Sequence, residues 1–403
     1  MMFRRYYLPL FLILFSSTGF SQERKEIVAA DVVTINSKIL NEKRTVWVYS
    51  PGNKKDRKAY PVLYVLDGET HFNSVIAMVE HLSGASIIPR MIVVGILHSN
   101  RMKDLTPSGK NAGVGSNTEN TGGGKNFISF VNDELFPLIE LKYSTAPYRL
   151  LFGHSLGGLT VINTLIHHKD LFNAYASIDA SLWWDQHKLL DESRVALAVH
   201  NYPNKKLFLA IANRMEKGID TSAVQADTTE NTELIRYNLE LIRSIKANPQ
   251  NELKFTHKYY RDDNHNSVSF IAEYDALRFI FDFYKFDVYA SYLDKENLSL
   301  DSLLATHFTN VSKEMGYTVH PSEELVNGLA YYSLNTKQLR KAEQLFKMNV
   351  LNYPKSANAF DSMGDFYVAT GDKINAGKCF EKALELTELP ATRAKLKTLE
   401  LKN

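Results

Sequence analysis

Apolar residues over roughly the first 290 positions alternate between short uninterrupted runs and longer stretches with helical spacing. Continuous runs such as YPVLYVLDG and RMIVVGILHS are typical of strands buried on both faces, as in a parallel sheet. At the front, VVTINS and RTVWVYSP flank the polar turn NEKR, which predicts an antiparallel pair. Helical patterns separate the later strands, among them NFISFVNDELFPLIELKY and TELIRYNLELIRSIKA. The alternation predicts an α/β fold with a mostly parallel central sheet and helices on both faces.

The pattern changes after residue 287, beyond which no strand-like run remains. Residues 288–320 have a mixed helical pattern and are predicted to form a connector. Residues 321–403 repeat with a period of 34 residues; the recurring pairs are Leu329 and Met363, Ala330 and Gly364, Ala342 and Ala376, and Phe346 and Phe380. This segment resembles the tetratricopeptide repeat, in which two helices per unit cross at small residues. We therefore predict a small all-α domain at the end of the chain.

The first 21 residues have the layout of a secretory signal peptide. Positive charge in MMFRRYY is followed by the apolar run LPLFLILF and the small polar segment SSTGFSQ, with cleavage expected after Ser21. The apolar run is shorter than the ~20 residues that span a bilayer, although an uncleaved anchor remains an alternative. The mature protein, with its main domain over residues 22–287, is therefore expected to be periplasmic or secreted, without a membrane span.

Composition narrows the possible partners. The chain has 403 residues, which favours two domains, and 44% of them are hydrophobic. Lys plus Arg (47) nearly balances Asp plus Glu (45), so nothing indicates a nucleic acid partner. Cys379 is the single cysteine, which excludes an intramolecular disulfide and a cysteine-rich metal site.

The segment YRLLFGHSLGGLT carries the strongest chemical signal. It places Ser155 in a G-x-S-x-G pattern between a predicted strand and a predicted helix. A tight turn there would lift the serine hydroxyl clear of the sheet, and Gly153 and Gly157 would avoid a collision across the turn. The backbone N–H of Leu156, at the helix N-terminus, would stabilise an oxyanion. This pattern predicts Ser155 as a nucleophile that needs a neighbouring base.

The base is expected after the last strand, following the chain order of nucleophile, acid and histidine. His265 lies there, in the polar loop RDDNHNSV. The acid that fixes the histidine tautomer is expected after the strand KLFLAIAN, and Glu216 in ANRMEKG is favoured. Asp220, Asp262 and Asp263 remain alternatives.

A second oxyanion donor is expected in the loop after an earlier strand. VLDGET supplies the backbone N–H of Gly68 or Glu69, and the glycine would let the chain pass close to the substrate oxygen. An ordinary strand-ending turn is the alternative interpretation of this segment.

Over about residues 28–287 the chain resembles the putative-esterase family of α/β hydrolases, which includes enterobactin, bacillibactin and feruloyl esterases. The motifs that carry the resemblance are, in order, YPVLYVLDGE, IVVGILHSNRMKDLTP, LLFGHSLGG, SIDASLWWD, LFLAIANRMEKG and DDNHNSV. It implies an α/β-hydrolase fold with Ser155 as nucleophile, His265 as base and Glu216 as acid. Asn213 stands where the family's acid motif usually has glycine, and some siderophore esterases of the group use a Ser–His pair alone, so the acid stays open.

The resemblance also indicates four substrate-binding candidates. NRMKDLTP is similar to the family's loop beside the active site, where Arg101 and Asp104 either contact the substrate or pair with each other. Trp183 and Trp184 follow a strand at a position where the family often lines the acyl or aryl pocket, although a tryptophan is also an ordinary core residue.

Together these features predict a serine esterase that acts through an acyl-enzyme, with no metal or organic cofactor implied. The substrate would be a small-molecule or polysaccharide-linked ester, such as a siderophore trilactone or a feruloyl or acetyl ester. Two alternatives remain: an acyltransferase of the same fold, and an interaction protein whose repeats recruit a protein partner.

Overall fold

The computed structural model describes five stretches of the chain, residues 30–52, 58–109, 120–215, 223–295 and 297–400. They are organised around one eight-stranded sheet with the strand order β1-β2-β4-β3-β5-β6-β7-β8. The strands are β1 (Asp31–Ser37), β2 (Glu42–Tyr49), β3 (Tyr60–Val65), β4 (Ile92–Ile96), β5 (Thr145–His154), β6 (Ala174–Ile178), β7 (Lys206–Ala212) and β8 (Lys254–Tyr260).

Strands β3 to β8 run parallel to one another, and β2 is antiparallel to both of its neighbours, β1 and β4. Every residue of β3, β4, β6 and β7 is buried, because helices cover both faces of the sheet. This explains the uninterrupted apolar runs of the sequence. The prediction of an α/β fold with an antiparallel pair at the front is confirmed.

Helices form a layer on each face of the sheet. Up to β8 they are α1 (Gly68–Gly84), α2 (Arg101–Leu105), α3 (Gly124–Phe130), α4 (Phe136–Lys142), α5 (Leu156–His167), α6 (Trp184–Val199) and α7 (Glu230–Lys246). A π-helical turn, Val131–Leu135, joins α3 to α4. One core cluster contains side chains of α3 to α7, and a second cluster contains α1 on the opposite face.

After β8, every regular element in the described part of the chain is a helix. These helices are α8 (Val268–Ile280), α9 (Ala290–Leu293), α10 (Leu300–Met315), α11 (Glu323–Asn335), α12 (Leu339–Asn352), α13 (Ala357–Thr370), α14 (Lys373–Leu386) and α15 (Pro390–Glu400). Among the helices that the structure describes, none has the length and apolar character needed to cross a membrane.

Helices α11 and α12 pack as one pair and α13 and α14 as the next. The second pair crosses at Gly364, where an added Cβ would lie 2.3 Å from the ring of Phe380. A small residue at this crossing is what the 34-residue period predicts, and the helical character of the tail is confirmed. Its assignment to tetratricopeptide repeats stays a prediction, as do the boundaries at residues 287 and 320. The predicted signal peptide lies outside the described residues.

Candidate active site

Ser155 lies at a sharp turn between β5 and α5, at the carboxyl edge of the parallel strands. Its backbone has φ 60° and ψ −115°, a conformation that residues other than glycine rarely adopt. An added Cβ on Gly153 would lie 2.4 Å from the backbone of Gly157, so the turn requires glycine at position 153. A Cβ on Gly157 would meet nothing closer than 3.5 Å. The expectation that both glycines avoid a collision is therefore corrected: only Gly153 is sterically required.

His265 reaches the serine from the loop between β8 and α8. Its Nε2 lies 3.1 Å from Ser155 Oγ, and its Nδ1 lies 2.5 Å from Asp179 Oδ2. Asp179 is fully buried, and its Oδ1 accepts a 3.0 Å hydrogen bond from the backbone N–H of Ala212. An ionised carboxylate can only accept, so Nδ1 carries the proton and Nε2 is left as an acceptor facing the serine hydroxyl.

The carboxylate at His265 is not among the acids favoured from the sequence. Glu216 and Asp220 lie outside the described residues. Asp262 is exposed, and Asp263 accepts a 2.8 Å hydrogen bond from a serine hydroxyl four residues later. The available signal for Asp179 was its place directly after the apolar strand AYASI, at the strand edge where α/β enzymes collect their functional groups.

Two helix N-termini lie at this edge of the sheet. Helix α5 begins at Leu156 and α1 begins at Gly68, after β3, which neighbours β5. The first amides of a helix have no acceptor within it, so the oxyanion donors predicted at Leu156 and Gly68 lie at positions that suit such a role. The reason for the glycine is corrected, however. A Cβ on Gly68 would lie 2.7 Å from the backbone of Gly95 in β4, so the close approach is to the neighbouring strand.

Arg101 and Asp104 each find a different partner. Arg101 forms a bidentate ion pair with Asp67, with Nε 2.6 Å from Oδ1 and Nη2 2.8 Å from Oδ2. The same Nη2 donates to the carbonyl oxygen of His154 at 3.3 Å. Arg101 therefore connects the residue before α1 to the residue before the nucleophile.

Asp104 is buried, and its carboxylate pairs with Arg44 and accepts from His98 Nδ1 at 2.9 Å. Both contacts are made by Asp104 Oδ2. The expectation that Asp104 contacts the substrate or pairs with Arg101 is corrected, because this buried carboxylate pairs with Arg44 inside the protein and Arg101 pairs with Asp67.

The two tryptophans also differ. Trp184 is buried and its Nε1 donates to the carbonyl oxygen of Ser108 at 3.0 Å, which corrects its proposed place in the pocket wall. Trp183 is 37% exposed and remains a candidate.

A second layer of histidines lies behind His265. The ring of His154 packs against it with 4.5 Å between ring centroids, and burial lowers the pKa of His154 to about 4. His71 Nδ1 lies 2.8 Å from Glu273 Oε1, and both side chains are buried. Burial opposes the charge on His71, but the hydrogen bond and charge of Glu273 outweigh it and raise the pKa of His71. This pair joins α1 to α8.

Within the described part of the chain, no group of three or more His, Cys, Asp or Glu side chains is placed to hold a metal ion. The arrangement combines a hydroxyl, an imidazole whose Nε2 faces that hydroxyl, a buried carboxylate and two helix N-termini, which is the kind of set that acyl transfer through a serine uses.

Comparison with known proteins agrees with this chemistry. The sequence model of the family described as putative esterase matches residues 37–268, more than half of the chain. A ferri-bacillibactin esterase of Bacillus subtilis is 27% identical over 192 residues, which cover 43% of this chain and 66% of that protein. A siderophore triacetylfusarinine C esterase of Aspergillus fumigatus is 27% identical over 150 residues, which cover 34% of this chain and half of that enzyme.

Solved structures extend the likeness in fold. An IroE-like serine hydrolase from Shewanella oneidensis superposes with a TM-score of 0.66 at 29% identity, covering 80% of this chain and 99% of that one. An uncharacterised protein from Capnocytophaga ochracea has a TM-score of 0.61 at 20% identity and covers 93% of this chain and 100% of that one. The second likeness concerns the fold alone.

Proposed function

Because the chain belongs to the putative esterase family and is a carboxylic ester hydrolase, we propose that it cleaves its substrate with a triad of Ser155, His265 and Asp179. The pair of contacts at His265 carries this proposal. Asp179 accepts the hydrogen bond of the Nδ1 proton at 2.5 Å, and Nε2 lies 3.1 Å from the hydroxyl that has to be deprotonated. A single ring thus connects the buried charge to the nucleophile.

The reaction proceeds in two halves. Ser155 Oγ attacks the ester carbonyl carbon while His265 Nε2 takes its proton, and the amides of Leu156 and Gly68 stabilise the oxyanion. His265 then returns the proton to the departing alcohol, which leaves an acyl group on Ser155. Water attacks that acyl-enzyme with His265 again as base, so one ester and one water yield one acid and one alcohol.

The substrate class we propose is the ester backbone of a siderophore. The support is the ferri-bacillibactin and triacetylfusarinine C esterases among the relatives. Trp183 also supports this substrate class. It lies two residues after Ser181, whose hydroxyl contacts Ser155, and its exposed aromatic ring suits packing against an aryl group. Feruloyl and acetyl esters are the competing substrates, and transfer of the acyl group to an acceptor alcohol is the competing reaction.

The test compares wild type with Ser155→Ala on p-nitrophenyl acetate, a catecholate trilactone, methyl ferulate and acetylated xylan. We expect the variant to lose several orders of magnitude in kcat/KM, as removal of a triad nucleophile does. Equal activity of the two proteins would refute the assignment of Ser155. A preference of wild type for methyl ferulate or xylan over the trilactone would refute the siderophore substrate. Acyl product found mainly on an added alcohol would favour the transferase.

We also propose that the protein is exported, since residues 1–21 have the layout of a signal peptide. The exported form would then begin at Gln22, and N-terminal sequencing of the processed protein checks this. We propose that residues 321–403 form tetratricopeptide-like repeats whose surface binds a protein partner.

A further inference from the structure

A second serine hydroxyl lies beside the nucleophile. Ser181 Oγ is 3.2 Å from Ser155 Oγ, and the Ser181 residue is only 3% exposed. Ser155 Oγ therefore has two polar neighbours, the other being His265 Nε2 at 3.1 Å. Among the described residues, Ser155 is the one hydrogen-bond partner of the Ser181 hydroxyl.

The direction of these hydrogen bonds follows from the buried carboxylate. Asp179 can only accept, so His265 donates from Nδ1 and accepts at Nε2. The Ser155 hydroxyl then donates its proton to Nε2, which leaves the lone pairs of Ser155 Oγ as acceptors. In the 3.2 Å contact between the two hydroxyls, the Ser181 hydroxyl is therefore the donor and Ser155 Oγ is the acceptor.

We propose that Ser181 is a catalytic residue that donates a hydrogen bond to the nucleophilic oxygen, an inference that rests on the proposed function. As His265 removes the proton, negative charge develops on Ser155 Oγ before the bond to the carbonyl carbon is complete. A donor at 3.2 Å stabilises that charge more than it stabilises the neutral hydroxyl. The interaction gains strength toward the transition state, which is the condition for raising the rate.

The same donor acts in the second half of the reaction. When water has added to the acyl-enzyme, Ser155 Oγ is the leaving group, and charge develops on it again as the carbon–oxygen bond breaks. Ser181 keeps its own proton throughout, and His265 supplies the proton that Ser155 regains. Ser181 therefore assists both acylation and deacylation without being consumed.

The hydroxyl can be separated from the backbone role of Ser181. The backbone N–H of Ser181 donates to the carbonyl oxygen of Ser155 at 3.1 Å, and this contact does not depend on the side chain at position 181. Ser181→Ala removes the hydroxyl alone. Ser193→Ala is the matched control, because Ser193 is also buried but donates to the carbonyl oxygen of Leu189 within α6.

The experiment measures the second-order rate of reaction with an aryl fluorophosphonate, which reports nucleophile activation, together with kcat and KM on p-nitrophenyl acetate. We expect Ser181→Ala to lose about tenfold in the phosphonylation rate and in kcat, about 1.4 kcal/mol, with KM unchanged. Ser181→Cys keeps a weak donor, so its phosphonylation rate and kcat should fall less than those of Ser181→Ala. It replaces the alanine variant in the test if that protein does not fold. Ser193→Ala should match wild type in both rates.

The two proposals fail in different ways. If wild type and Ser155→Ala are equally inert to the fluorophosphonate, the proposed function fails. If wild type reacts and Ser181→Ala reacts as fast, or if the loss falls on KM alone, Ser181 is not a donor to the nucleophile. If Ser181→Ala does not fold, a Ser181→Cys protein that reacts as fast as wild type overturns the role of Ser181 in the same way.

Discussion

Substitution of Asp179 by asparagine tests the proposed acid, because the two oxygens of this carboxylate have different partners. Oδ1 accepts the Ala212 N–H at 3.0 Å and Oδ2 faces His265 Nδ1 at 2.5 Å. An amide offers one oxygen and one NH2 group. If the oxygen stays on Ala212, the NH2 faces Nδ1 and selects the tautomer with the proton on Nε2. That tautomer cannot accept the proton of Ser155.

The opposite orientation is disfavoured by the backbone. It places the NH2 against the N–H of Ala212 and leaves that buried donor without an acceptor, at a cost of about 1–3 kcal/mol. The amide orientation that keeps Nε2 as an acceptor is then populated roughly ten- to a hundredfold less than the other. The imidazolium also loses the negative charge that stabilises it. Together these effects predict a fall in kcat/KM of about 10³ to 10⁴ in Asp179→Asn.

The assay is kcat/KM on p-nitrophenyl acetate, with the melting temperature as a check of folding. Glu216→Gln and Asp263→Asn are the matched controls, because each also replaces a carboxylate by an amide and each was a candidate from the sequence. Both controls should stay within a few fold of wild type. A folded Asp179→Asn protein within tenfold of wild type, or an equal loss in Glu216→Gln, would refute Asp179 as the acid.

Two further predictions concern the surroundings of the triad. Arg101→Lys keeps the charge but loses the bidentate contact with Asp67, so kcat should fall about tenfold with little change in KM; a rise in KM alone would instead indicate substrate contact. Burial holds the pKa of His154 at about 4, below its usual 6.5. The contribution of neutral His154 to the free energy of unfolding is therefore complete above pH 6.5 and is lost as the pH falls toward 4. The loss should reach up to about 3 kcal/mol of unfolding free energy, and it should be absent from His154→Gln in denaturant titrations across that range. A wild-type acid slope that persists in the variant would contradict this.

The parts of the fold that the sequence predicts are those with a local cause. Strands buried on both faces have to be apolar throughout, so β3, β4, β6 and β7 are visible as runs. The turn at Ser155 requires a glycine at position 153, which leaves a readable motif. Chain order alone singles out His265 as the candidate base, because the loop after the last strand contains one histidine.

The position of Asp179 beside His265 has no such local cause. Its contact with His265 depends on the positions of β6 and β8 on either side of β7, and on the N–H of Ala212 at the end of β7. The place of Asp179 after a strand puts it at the carboxyl edge of the sheet, but strand order is a property of the assembled sheet, so the sequence does not indicate that this carboxylate faces the histidine loop. The pairs of Arg101 with Asp67 and Arg44 with Asp104 are hidden for the same reason, since each joins segments that meet only after folding.

The helical tail shares a buried apolar core with the two helices next to the candidate site. Helix α1 begins at Gly68, and α8 begins three residues after His265. Apolar side chains of both helices belong to one buried cluster with those of α10 to α13, and the His71–Glu273 pair joins α1 to α8 inside the protein. Removal of the tail would uncover this cluster, so we expect the tail to stabilise the two helices that begin at Gly68 and just after His265. A small loosening there affects catalysis, because a shift of about 1 Å in reacting groups costs up to about a hundredfold in rate.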